Sequence, residues 1–114
     1  LPDMANGPTG VLLLVDDEAN IISSLQRLLR GEGYRILTAA GPAEAFDILA
    51  KNAVSVIISD QRMPEMSGTE FLSRVREIYP DTVRIVLSGY ADLASVTGIL
   101  RNAFDFAGKK NKTE

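Results

Sequence analysis

The chain has 114 residues, no cysteine and no histidine, 46% hydrophobic and 24% charged residues, and a formal net charge of -3. Such a chain suits one globular domain with a real core. It excludes disulfides, thiolate metal centres and imidazole chemistry, so any metal expected is a hard, oxygen-liganded cation. The mild acidity gives no electrostatic reason for direct nucleic-acid or membrane-surface binding, and the longest apolar run, Val11 to Val15, is too short to span a bilayer.

Residues 1–10 hold two prolines and two glycines without apolar periodicity and read as a flexible leader. The folded body is expected over 11–110, with a polar tail at 111–114. Val11 to Val15 is uniformly apolar, as in a strand buried on both faces, and runs directly into Asp16, Asp17 and Glu18. Ile21, Ile22, Leu25, Leu28 and Leu29 follow with helical spacing from about Glu18 to Arg30, and Gly31 and Gly33 stop the pattern. Tyr34 to Ala39 predicts a second strand. Pro42 opens a second helix through Lys51, with Ala45, Phe46 and Leu49 facing inward.

Val54 to Ser59 is β-branched and almost continuously apolar, and it stops at Asp60. Met63, Pro64 and Gly68 interrupt regular structure before a third helix, Thr69 to Ile78, which Pro80 ends. Thr82 to Leu87 predicts a fourth strand ending in Ser88-Gly89. Ala91 to Asn102 predicts a fourth helix, and Ala103 to Ala107 a short fifth strand leading to Gly108-Lys109-Lys110. Strands alternating with helices of this length imply right-handed crossovers and a parallel sheet.

In an open α/β sheet, ligands bind beyond the carboxyl ends of the strands. Those ends carry Asp16 and Asp17, Asp60, Ser88 and, after the fifth strand, Lys109. Three carboxylates brought together resist joint ionisation unless a cation compensates them, and all-oxygen ligation suits Mg²⁺. The set suits a phosphoryl group, with a carboxylate as the available nucleophile. Taken singly, Asp16-Asp17 also reads as an acidic helix start, Ser88-Gly89 as a turn and Lys109-Lys110 as a solvated tail.

In this order, Asp16-Asp17, the run Asp60-x-x-Met63-Pro64-x-Met66-x-Gly68, Ser88-Gly89 and Ala103-x-x-Phe106-x-x-Lys109 resemble the motifs of receiver domains of two-component response regulators. The resemblance covers nearly the whole chain. It implies a flavodoxin-like, doubly wound parallel sheet of five strands in the order 2-1-3-4-5. It implies that Asp60 accepts a phosphoryl group from a sensor histidine kinase, a phosphotransfer protein or a small phosphodonor. Mg²⁺ (or Mn²⁺) would be held by Asp17, Asp60 and the backbone carbonyl of Arg62, with Asp16 completing the metal site largely through water. Ser88 and Lys109 would bind the phosphoryl oxygens, Ser88 and Phe106 would form the switch, and Gln61, Arg62, Gly89 and Tyr90 would tune the lifetime of the acyl phosphate.

The resemblance further implies a cytoplasmic signalling module that is not an enzyme on external substrates and whose output domain is absent from this chain. Two departures lie at the end. Lys110 stands where the family has a proline, and only five residues follow Lys109, so the fifth helix is expected to be missing or truncated. A bare apolar face should result, so the chain is expected either to self-associate, a second copy serving as cover in a homodimer, or to be only marginally stable. The alternatives are a pseudo-receiver that only binds protein and an aspartyl-phosphate phosphatase. The latter usually wants a second carboxylate two residues after its nucleophile, where this chain has Arg62.

Overall fold

The computed structural model describes residues 10–112, so the leader 1–9 and residues 113–114 lie outside the described residues. Four parallel strands alternate with helices: β1 Val11–Val15, α1 Ala19–Leu29, β2 Arg35–Ala39, α2 Pro42–Lys51, β3 Val56–Asp60, α3 Gly68–Ile78, β4 Val83–Leu87 and α4 Val96–Lys112. Short 3₁₀ turns at Arg30–Glu32 and Tyr90–Ser95 follow α1 and precede α4. The strand order is β2-β1-β3-β4, with β1 pairing in parallel to β2 and β3, and β3 to β4.

Alternation along the strands divides the core in two, because successive side chains of a strand point to opposite faces. Leu12, Leu14, Val56 and Ile58 pack with Leu25 and Leu29 of α1 and with Val96, Leu100, Ala103 and Phe104 of α4. Leu13, Val15 and Ile57 pack on the other face with Ala45 and Leu49 of α2 and with Phe71, Leu72 and Val75 of α3. Helices α1 and α4 therefore share one face, and α2 and α3 the other. This is a doubly wound sheet of the flavodoxin-like kind.

The expected fifth strand is not there. Residues 103 to 107 continue α4, and the physical reason is their period: Val96, Leu100, Ala103, Phe104 and Ala107 are buried while Arg101, Asn102, Asp105 and Phe106 are exposed. That spacing is a helical stripe, and the segment holds no β-branched residue to favour a strand. The order is accordingly 2-1-3-4, and residues 111 and 112 extend the helix instead of forming a tail. The bare face over β1 and β3 is not there either, since α4 lies beside α1 and leaves Leu12, Leu14, Val56 and Ile58 at most 2% exposed. No uncovered face over β1 and β3 is left among the described residues for a second copy of the chain to cover.

Candidate functional site

Two strand ends build an acidic centre. At the end of β1, the Asp16 amide donates to the Ala39 carbonyl (3.1 Å), which carries the β1–β2 ladder one residue beyond the strand. The Asp16 carboxylate accepts the Glu18 amide (2.9 Å) and so turns the chain into α1. At the end of β3, Asp60 stands in register with Leu87, and the Gln61 amide donates to the Leu87 carbonyl (3.2 Å). With β1 and β3 adjacent, one carboxylate oxygen from each of Asp16, Asp17 and Asp60 lies within 4.8 Å of the others. Asp16 is buried, Asp60 half-buried and Asp17 exposed.

The loop after Asp60 is tied down on both sides. The Arg62 amide donates to Asp60 Oδ2 (3.2 Å), and the Gly68 amide to the Gln61 carbonyl (2.9 Å). Gln61 Oε1 accepts from the Thr69 amide (3.0 Å) and the Thr69 hydroxyl (2.8 Å), so this side chain faces the start of α3. Ser67 caps that helix by accepting the Glu70 amide (3.1 Å). A Cβ on Gly68 would overlap the Asp60 carbonyl oxygen, which makes Gly68 a close-approach residue that holds the loop against the end of β3. In the sequence Gly68 is visible as a break before a helix and as the end of the Asp60-x-x-Met63-Pro64-x-Met66-x-Gly68 motif, but its close approach to the Asp60 carbonyl is not.

Electrostatics bear the mark of the cluster. Burial first, and then the charges of Asp60, Asp17 and Glu18, push the Asp16 carboxyl up from its ordinary 3.8 to about 6, against the opposing pull of the Glu18 amide. The donor set therefore fits a hard divalent cation: three carboxylate oxygens within sharing distance, one of them on a group that its surroundings leave reluctant to ionise. Next to them lies a cavity of about 70 Å³, reached by Asp16, Asp60 and Gly89 and walled by Ile21, Leu25 and Leu93.

The other expected site residues divide. Ser88 and Gly89 follow β4 at the same end of the sheet, both exposed. Tyr90 begins the 3₁₀ turn, and its side chain lies outside the described residues. Phe106 does not reach the core: it sits on α4 and is 55% exposed, and the buried aromatic of this segment is Phe104. Lys109 also lies on α4, where its ammonium is 3.4 Å from Asp105 one turn back. It borders a recess with Glu32, Tyr34 and Phe104, and Phe104 abuts Gly10, ahead of the amino end of β1. Helix α4 therefore carries Lys109 away from the carboxyl ends of the strands, and the phosphoryl-binding lysine expected there is absent from the acidic centre.

A doubly wound parallel sheet with an acidic triad at the carboxyl ends of β1 and β3 defines a class of phosphoryl-handling signalling domain. The family model for the response regulator receiver domain matches residues 12–114, and the chain belongs to that family. The hydrogenase transcriptional regulatory protein HoxA of Cupriavidus necator is 49% identical over 81 residues, which are 71% of this chain and 17% of that protein. The chain thus spans about a fifth of the length of the curated relatives it matches. Among solved structures, the signal receiver domain of an HD domain-containing protein from Pseudomonas fluorescens Pf-5 is similar, with 26% identity, a TM-score of 0.81, and coverage of 90% of this chain and 92% of that one. The response regulator TrrA from Thermotoga maritima, solved with Mg²⁺ and BeF, is 36% identical with a TM-score of 0.67, covering 75% of this chain and 78% of that one. Accepting a phosphoryl group is the function of the family, and its members bind Mg²⁺ through acidic residues.

Proposed function

We propose that Asp60 is the phosphoacceptor of this receiver domain. The observation that carries this reading is its place: a half-buried carboxylate at the end of a central strand, within 4.8 Å of two further carboxylates, with one oxygen already oriented by the Arg62 amide. A carboxylate oxygen attacks phosphorus of a kinase or phosphotransfer-protein phosphohistidine, or of a small donor such as acetyl phosphate. The new O–P bond forms as the bond to the leaving group breaks, and the leaving group departs with the electron pair.

Mg²⁺ (or Mn²⁺) would be held by Asp16, Asp17, Asp60 and the carbonyl of Arg62, and when bound it neutralises charge on carboxylate and phosphoryl oxygens. Ser88 donates its hydroxyl to a phosphoryl oxygen and moves toward it in the switch. Gln61 acts on the lifetime of the acyl phosphate by fixing the loop to α3 through Thr69, and Arg62, Gly89 and Tyr90 are the other tuning positions. The domain turns over no external substrate, in keeping with arginine at position 62. It works in the cytoplasm; no described helix is long and apolar enough to cross a membrane. It controls an effector, a transcriptional regulator as in HoxA being the reading that the relatives support.

The distant position of Lys109 supports one rival, the pseudo-receiver that only binds protein. Incubation with acetyl phosphate and Mg²⁺, followed by intact-mass measurement, separates the readings. One phosphoryl group gained, and lost in Asp60→Asn or without Mg²⁺, supports the phosphoacceptor. No gain supports the pseudo-receiver, and sustained release of phosphate an aspartyl-phosphate phosphatase.

A further inference from the structure

Three carboxylates and a transferred phosphoryl group together carry more negative charge than one divalent cation offsets, so a second positive group at the centre stabilises the transfer. Lys109 does not supply it, being paired with Asp105 on α4. Three recesses open around the acidic cluster. The first is the cavity bordered by Asp16 and Asp60, the second lies between Asp17 and Glu44, and the third is formed by Asp17, Gln61, Met63, Pro64 and Ser67 with Arg62. Arg62, on the third recess, is the one cation among the described residues that line any of them. It is exposed, its guanidinium makes no ion pair among the described residues, and its own amide holds Asp60 Oδ2 at 3.2 Å.

Resting on the reading of Asp60 as phosphoacceptor, we propose that the Arg62 guanidinium is the cation that binds the phosphoryl oxygens at this site, in the place a lysine after the last strand would fill. A guanidinium presents its donors as a planar fork that matches two phosphoryl oxygens, and charge-assisted bonds of this kind are the stronger ones. The hydrogen bond from the Arg62 amide fixes where its side chain starts, so the fork needs no help from α4. The chemistry is unchanged in balance: one O–P bond forms on Asp60, the donor's P–O bond breaks, and acetate leaves with the electron pair when acetyl phosphate is the donor.

The test compares initial rates of phosphoryl gain from acetyl phosphate at saturating Mg²⁺ in the full chain, by intact mass, together with Mg²⁺ affinity measured separately. Arg62→Gln is expected to slow labelling about tenfold or more with Mg²⁺ affinity unchanged. Arg62→Lys should recover part of the rate, and Lys109→Gln should label as fast as the unaltered chain. Arg62→Gln labelling at the unaltered rate overturns the proposal, as does a tenfold slowing in Lys109→Gln, or an Arg62→Gln effect confined to Mg²⁺ affinity. An unaltered chain that takes no label on Asp60 overturns both this proposal and the phosphoacceptor reading, whereas a labelled chain indifferent to Arg62 overturns this one alone.

Discussion

The ring of Phe104 stacks on that of Tyr34, centroids 4.2 Å apart and planes 14° from parallel. This pair pins the second half of α4 to the start of β2, and the Arg101–Glu32 ion pair (3.0 Å) reinforces it from the surface. With Phe104 only 9% exposed, Phe104→Ala should cost about 3 to 5 kcal/mol of unfolding free energy. Denaturant titration checks this, and a loss below about 1 kcal/mol would mean that α4 does not dock there.

Gly68 makes a second structural prediction. Its missing Cβ lets the loop close on the Asp60 carbonyl, so Gly68→Ala should destabilise the fold by about 1 to 3 kcal/mol and displace the backbone beside the acidic centre. Thermal melts with and without Mg²⁺ should show a lower melting temperature and a smaller gain from the cation. An unchanged melting temperature would contradict the close approach.

Asp16 makes a prediction about pH. Its carboxyl is pushed up to about 6 from an ordinary 3.8, so between these values the folded protein holds a proton that the unfolded chain has released. Its contribution to stability in the absence of metal is therefore full at low pH and is lost as pH rises through about 6. A cation needs the ionised form, so its effect runs the other way. Stabilisation by Mg²⁺ should be small at about pH 5 and large at about pH 7.5. An equal Mg²⁺ effect at both values would remove Asp16 from the metal site.

The acidic centre was legible in the sequence because β1 and β3 are apolar runs that stop at aspartate, and parallel strands deliver their carboxyl ends to one edge. Adjacency of β1 and β3 then brings Asp16, Asp17 and Asp60 together without any further signal. The end of the chain misled for a physical reason. Ala103 to Ala107 is a short apolar run that reads as a strand when the motif Ala103-x-x-Phe106-x-x-Lys109 is followed, but its burial alternates with helical period from Val96 through Leu100 to Ala107. With Asp105 and Phe106 outward and Phe104 inward, Lys109 turns away from the acidic centre. The tie between Gln61 and Thr69 was beyond reach, since it depends on how the loop folds back and not on any local pattern.

The proposed phosphoacceptor is Asp60, and not its neighbours Asp16 or Asp17. Borohydride reduction after incubation with acetyl phosphate and Mg²⁺ converts a phosphorylated aspartate to homoserine, and peptide mass mapping then locates it. Homoserine at position 60 alone is the predicted result. Homoserine at 16 or 17, or at no position in a correctly folded sample, would contradict the account.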